Sequence, residues 1–338
     1  MLRVLVLLSF SLAASAFAQS PKNVILLIGD GMGPSHFTAA RLTRGAEFQI
    51  GRMKTIGLVT TSCADRAVTD SAAAATALAT GFKTNYEAVG IDAEGASKPT
   101  VLETAEKSGK ATGLVTTAYF YDATPAAFAS HVKHRSQYAE IAAQMLASGA
   151  EIIVGSVLDN GPPVRELAKN AGFTIATTFA DLDTSNAPHV LGAFRGQPRD
   201  LDFVEAPLPD LARSAIARLS RNPKGFFLLL EHEGTDSSSH QNNRIDADTA
   251  LKSFDAAVGV ALDFAEKSKD TLVIVTGDHE TGGLRISETK LGRWRMEWST
   301  GDHTAVAVPI FAFGPGASQF AGFQDNTDVG KKLLELVK

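Results

Sequence analysis

Short runs of Val, Ile and Leu alternate along this chain with amphipathic stretches. The runs at Asn23–Gly29, Thr55–Thr61, Ala111–Thr117, Glu151–Val154, Gly225–Leu230, Thr271–Gly277 and Ala305–Gly314 predict strands. Most are apolar throughout rather than at every second position, the pattern of strands covered on both faces. Helices are predicted at Ser71–Gly81, Pro99–Ser108, His131–Ala147, Pro209–Arg221, Arg244–Lys267 and Thr327–Val337. In Arg244–Lys267, Leu251, Phe254, Val258, Ala261 and Ala265 recur at intervals of three and four, which builds one apolar stripe. Strands alternating with helices predict an α/β fold with a mostly parallel sheet between two helical layers. No repeat, low-complexity tract or long linker divides the chain, so residues 19–338 read as one domain. Ligands of such sheets sit beyond the carboxyl ends of the strands.

The first eighteen residues follow a different pattern. Arg3 precedes the apolar run Val4–Phe10, and Ala16-Phe17-Ala18 offers a small-x-small cleavage site. This predicts a secretory signal peptide over residues 1–18, cut after Ala18, and a mature protein that is periplasmic or secreted. The run is shorter than the roughly 20 apolar residues a membrane span needs. Loss of Arg3 takes the net charge from −5 to −6, and no basic run marks a nucleic-acid footprint. The single cysteine, Cys63, excludes an internal disulfide and a Cys-rich zinc site; it reads as a small buried hydrophobe.

Chemistry-bearing residues collect at strand ends. Asn23–Gly29 runs into Asp30-Gly31-Met32-Gly33, where Asp-Gly is also a common turn pair. Gly225–Leu230 runs into Glu231-His232-Glu233-Gly234-Thr235-Asp236, with His240 four residues beyond Asp236 and on its face if the segment is helical. Thr271–Gly277 runs into Asp278-His279, and His303 precedes the last predicted strand. Carboxylates with imidazoles suit zinc, and several such groups on one rim predict more than one divalent cation. His36, His131, His134, His189 and His232 lack this context and read as surface or packing residues. Asp70-Ser71 opens an alanine-rich helix. Asp70 or Ser71 would cap that helix, and its N-terminus would also favour an anion such as phosphate. A serine there, activated by a metal, would serve as a nucleophile. No G-x-S-x-G elbow is present.

Together these segments resemble the bacterial alkaline phosphatases. The resemblance rests on Ile28-Gly29-Asp30-Gly31-Met32-Gly33, Val68-Thr69-Asp70-Ser71-Ala72-Ala73, Asp122-Ala123-Thr124-Pro125-Ala126-Ala127, Glu231…Asp236…His240, Thr276-Gly277-Asp278-His279 and Gly301-Asp302-His303-Thr304, in the family's order. It implies a three-layer α/β/α sandwich with minimal inserts and a metal-dependent phosphate monoester hydrolase. It further implies that Ser71 is the nucleophile, that Asp236, His240 and His303 hold one zinc, and that Asp30, Asp278 and His279 hold a second. Asp30, Thr124 and Glu231 would hold a magnesium, with Asp122 in its shell. Arg135 would bind phosphate and Asp70 would orient it. Homodimers are usual in the family, although no segment here marks an interface.

The chain also departs from the family pattern. Glu231 lies at the family's spacing of five before Asp236, but Glu233 is an alternative magnesium ligand. Ser237 stands where many relatives carry Lys or His near the phosphate, so weaker phosphate binding is expected. Only 23 residues separate His279 from His303, where larger relatives carry an insert. Arg293, Trp294 and Trp298 fall in this stretch and read as packing residues rather than substrate contacts. Expected substrates are small-molecule phosphate monoesters, with no nucleic-acid specificity and no membrane partner. A phosphodiesterase or sulfatase-like relative is the nearest alternative, and a binding protein without turnover is a third. The Asp-Ser-Ala context of Ser71 favours the monoesterase, and the presence of both Ser71 and Arg135 disfavours the binding protein.

Overall fold

The computed structural model describes residues 20–158, 160–195 and 206–338. The predicted signal peptide lies outside them. The strands are β1 (Asn23–Gly29), β2 (Thr55–Thr60), β3 (Ala111–Tyr119), β4 (Ile152–Val157), β5 (Thr174–Ala176), β6 (Val190–Arg195), β7 (Phe226–His232) and β8 (Thr271–Gly277). They continue with β9 (Glu280–Thr281), β10 (Arg285–Glu288), β11 (Trp294–Glu297), β12 (His303–Thr304), β13 (Val308–Phe313) and β14 (Gly322–Asp325). Ten of them form one sheet in the order β14-β2-β13-β8-β1-β7-β3-β4-β6-β5. Only β13 runs antiparallel to its neighbours, β2 and β8. β10 pairs with β11 and β12 with β9 outside this sheet.

β1 shows why the strand runs are apolar throughout. Val24, Leu26 and Ile28 pack with helices Ser71–Thr80, Val101–Lys107, Ala123–Ala129 and Asn326–Leu336. Ile25 and Leu27 point to the other face, against Pro34–Arg44, Leu208–Leu219 and Arg244–Ser268. Successive strand residues face opposite sides, so a strand covered on both needs no polar position. Each side chain buried this way contributes about 1.5–3 kcal/mol. This is the three-layer α/β/α arrangement.

Element positions differ from the sequence expectation in a few places. The predicted helix His131–Ala147 begins only at Tyr138. Ahead of it, Ser136 N–H donates to His134 Nδ1, His134 N–H donates to Gln137 Oε1, and Val132 bridges to Val89. These local side-chain bonds compete with helical ones. Arg135 therefore sits in a loop. The predicted strand Ala305–Gly314 shortens to β13, Val308–Phe313, and the two-residue β12 lies just ahead of the predicted span. β5, β6, β14 and the helices Pro34–Arg44, Ala123–Ala129, Val164–Asn170, Phe179–Thr184 and Gly234–His240 carry too short or too polar a pattern to have been predicted.

The helix Ser71–Thr80 is buried at every position. Its alanines let the helix Asn326–Leu336 approach closely, and Gly330 makes that contact. A Cβ on Gly330 would lie 2.3 Å from the carbonyl oxygen of Ala77. Gly330→Ala is therefore expected to destabilise the fold by about 1–3 kcal/mol, read as a lower denaturant midpoint. An unchanged midpoint would mean that the two helices separate freely.

Candidate active site

Parallel register brings the acidic strand ends together. Gly29 of β1 lies beside His232 of β7 and Gly277 of β8. The next residues on the three strands are Asp30, Glu233 and Asp278, which therefore meet at one edge. Gly31 turns the chain away at φ +72°, and its N–H donates to Asp278 Oδ1 at 3.1 Å. A Cβ at Gly31 would lie 2.9 Å from Cα of Asp236, so only glycine fits there.

Asp30, Asp278 and His279 form one donor set. Thr281 gives its single hydroxyl proton to Asp236 Oδ1, so its oxygen accepts from His279 Nδ1 at 3.2 Å. Nε2 of His279 is then left without a proton. It faces Asp30 Oδ1 at 3.4 Å, Asp278 Oδ2 at 3.3 Å and Ser71 Oγ at 3.2 Å. Burial, followed by the charge of His303, pushes His279 down to about 3. Asp30 Oδ1 and Asp278 Oδ2 are buried without a hydrogen-bond partner. A bare imidazole nitrogen and two orphaned carboxylate oxygens aimed at one point repel one another unless a cation lies between them.

Asp236, His240 and His303 form a second set. The helix Gly234–His240 puts Asp236 and His240 on one face. β12 pairs with β9 so that His303 lies opposite Thr281. His240 Nδ1 donates to Gly301 O at 2.6 Å, and His303 Nδ1 donates to Thr69 O at 2.9 Å. Their Nε2 atoms approach to 3.2 Å, with Asp236 Oδ2 at 3.2 Å from His240 and Oδ1 at 3.4 Å from His303. Backbone carbonyls on Nδ1 thus point both Nε2 atoms at the same carboxylate, as in metal-ligating histidines. The hydrogen bond it donates to Asp236 pushes His240 up to about 9.

Asp30, Glu231 and Glu233 form a third set, with oxygen donors alone. Thr116 Oγ1 donates to Glu231 Oε2 at 2.5 Å. Burial, with Asp122 and Asp278 adding, pushes Glu231 up to about 8. Thr124, 1% exposed, has a buried Oγ1 without a hydrogen-bond partner. The all-oxygen character suits a hard cation such as magnesium.

The helix that begins at Ser71 and the side chain of Arg135 are held by the same carboxylate. Asp70 caps Ser71–Thr80, accepting from Ala72 N and Ala73 N at 3.2 Å each. It also accepts from Arg135 Nη1 at 3.2 Å, and Asp122 Oδ1 accepts from Nη2 at 3.1 Å. Asp122 therefore lies against the arginine, and its oxygens belong to none of the three donor sets.

A sequence model described as alkaline phosphatase matches residues 21–162 and 168–296. The chain is 30% identical to alkaline phosphatase 3 of Bacillus subtilis, with 94% of this chain and 89% of that protein covered. It is 31% identical to the alkaline phosphatase of Escherichia coli, covering 91% and 84%. Its fold superimposes on the alkaline phosphatase of the Antarctic bacterium TAB5 with a TM-score of 0.85 and 32% identity, covering 94% and 98% of the chains. Variants of that enzyme have been solved with magnesium in their M3 site.

The chain belongs to the alkaline phosphatase family. It is a metal-dependent phosphate monoester hydrolase, and the α/β/α fold is the family's. The structure brings Asp30, Asp70, Ser71, Asp122, Thr124, Arg135, Glu231, Asp236, His240, Asp278, His279 and His303 to one rim. Sequence reasoning missed the supporting hydroxyls of Thr116 and Thr281, since a threonine at a strand end carries no chemical signature of its own. His36 and His232 are fully or almost fully buried packing residues, as expected of them. Trp294 packs under Arg244 at 4.8 Å and, with Trp298, against the core.

Protons and cations compete for the second donor set of this alkaline phosphatase. The folded value of His240 lies above its unfolded value of 6.5. Its pairing therefore stabilises the metal-free fold fully below pH 6.5, and that stabilisation is lost as pH rises through about 9. The metal-free protein is expected to melt at lower temperature at pH 9.5 than at pH 6.5, while zinc affinity rises over the same interval. Differential scanning calorimetry and zinc titration at the two pH values test this. Zinc affinity independent of pH would exclude the competition.

Proposed function

We propose that the chain releases inorganic phosphate from small-molecule monoesters by double displacement through Ser71, with two zinc ions and one magnesium. The observation that carries this reading is the position of Ser71 Oγ. It lies at a helix N-terminus, 3.2 Å from the unprotonated Nε2 of His279 in one donor set, and follows directly on the Asp70 that holds Arg135. Asp236, His240 and His303 on one side, and Asp30, Asp278 and His279 on the other, mix nitrogen and oxygen donors as zinc sites do. Asp30, Glu231 and Thr124 offer the oxygens that magnesium prefers. When bound, such cations supply the positive charge that acidifies the serine and water and steadies the entering and leaving oxygens.

The residues of the chain do the rest. Ser71 Oγ attacks phosphorus in line while the bond to the leaving oxygen breaks, giving a phosphoserine. Asp70 and Asp122 fix the guanidinium of Arg135, whose free N–H groups clamp the equatorial oxygens as charge spreads over them. The helix dipole and the free N–H groups of the first turn favour the same anion. Water then attacks phosphorus, the P–Oγ bond breaks, and Ser71 regains its proton as phosphate leaves. The pattern of residues 1–18 supports a periplasmic or secreted enzyme. No helix among the described residues is long and apolar enough to cross a membrane.

Hydrolysis of p-nitrophenyl phosphate at alkaline pH, lost with EDTA and restored by zinc and magnesium, tests the reading. A preference for bis-p-nitrophenyl phosphate or p-nitrophenyl sulfate would keep the fold and nucleophile but overturn the monoesterase. Ser71→Ala is expected to lower turnover by at least about 10³-fold while zinc content stays that of the parent. Activity retained in that variant would remove Ser71 from the mechanism. Ser237 donates its hydroxyl to Glu233 at 2.6 Å rather than presenting a cation to phosphate. Phosphate is therefore expected to be a weak competitive inhibitor, and a low-micromolar inhibition constant would contradict this.

A further inference from the structure

Glu233 has no counter-charge among the described residues that explains its position. It stands at the N-terminus of the helix Gly234–His240, yet its side chain makes no capping bond. Among the described residues, no Lys, Arg or His forms an ion pair with it. It lies two residues beyond Glu231, just past the end of β7, where the backbone has already turned helical (φ −69°, ψ −31°). Its N–H donates to Thr117 Oγ1 at 2.9 Å, which ties its backbone to the neighbouring strand β3. Ser237, one helical turn on, donates to its Oε1 at 2.6 Å, so the carboxylate is held in one orientation. Glu233 thus offers an oxygen that lies, with those of Asp30 and Glu231, in a cluster no wider than 4.8 Å.

The acidic residues alone would not define a site. The buried Thr124 Oγ1, which makes no hydrogen bond, points independently to a cation there. We propose that Glu233 is an additional carboxylate ligand of the third cation, beside Asp30, Glu231 and Thr124, with Ser237 and Thr117 as its positioning residues. The inference rests on the proposed three-cation site. It resolves the choice between Glu231 and Glu233 by assigning both. Three carboxylates then face one divalent ion, which raises affinity for hard cations at this site and leaves a net negative charge next to the phosphate position. The orientation of Ser237 away from phosphate follows from the same arrangement: its hydroxyl serves the metal ligand.

The test uses the mature protein stripped with EDTA and reloaded with zinc, then titrated calorimetrically with magnesium chloride. Zinc content is followed by elemental analysis, and monoester turnover of the parent is measured alongside. Glu233→Gln is expected to keep the parent's zinc content and to weaken magnesium binding at least about tenfold; Ser237→Ala is expected to weaken it by a smaller factor. A second readout needs no bound metal. Removing one of the crowded carboxylates should raise the melting temperature of metal-free Glu233→Gln above the parent's and shrink the rise that magnesium produces. A magnesium dissociation constant within twofold of the parent's would overturn the inference, as would a metal-free melting temperature below it. A parent that hydrolyses monoesters and holds zinc but does not take up magnesium would also overturn the inference while leaving the proposed function standing. A parent without monoester turnover would refute the proposed function whatever its magnesium binding.

Discussion

Five carboxylates, those of Asp30, Glu231, Glu233, Asp236 and Asp278, converge where β1, β7 and β8 end, and four of them are buried or nearly so. Like charges brought this close in a protein interior must be protonated or neutralised by cations. Burial and mutual repulsion hold Asp30 and Glu233 well above the usual carboxylate range, and Asp278 is pushed up to about 6. Asp236 alone is held well below that range, because two imidazoles outweigh its burial. The rest of the architecture keeps these groups in place against their own repulsion. Parallel register aligns the strand ends, the turn at Gly31 returns the chain without a side chain in the way, and the layers of apolar side chains on both faces supply the stabilisation that offsets the strain.

Structural and chemical roles are carried by the same atoms. Asp70 caps a helix and orients an arginine with one carboxylate. Its Oδ1 also accepts from Glu87 N at 3.0 Å, while Glu87 O accepts from Arg135 N at 2.8 Å. Asp70, the backbone of Glu87 and both ends of Arg135 therefore close one hydrogen-bonded ring. Glu87 holds φ at +66°, a conformation uncommon for a side-chain-bearing residue and found at sites where surrounding contacts enforce it. The helix-capping and catalytic readings of Asp70-Ser71 are thus two aspects of one arrangement.

The short segment between His279 and His303 folds into the β10–β11 hairpin and the β9–β12 pair. Thr304 Oγ1 donates to Glu280 Oε2, and Glu280 accepts from the N–H groups of Gly283 and Leu284. One carboxylate thereby ties the returning chain, and His303 with it, to the strand end that carries Asp278 and His279.

The sequence by itself determined the layers and the ligands. Unbroken apolar runs required strands covered on both faces, and a carboxylate or imidazole directly after such a run had to emerge at the sheet's carboxyl edge. Asp30, Glu231, Asp236, His240, Asp278 and His279 were legible for that reason. Ser71 and Asp70 were legible as a helix start, and became a nucleophile and its support through resemblance. What the sequence left open depends on contacts between residues far apart in the chain. Strand order and register placed Glu233 beside Asp30; pairing of β12 with β9 delivered His303; a loop stitched by His134 and Ser136, instead of the expected helix, aimed Arg135 at Asp70 and Asp122. The protonation of each imidazole was likewise decided by its tertiary partner. Thr281, Gly301 and Thr69 engage Nδ1 of His279, His240 and His303, and no local pattern records which oxygen will occupy that position once the chain has folded.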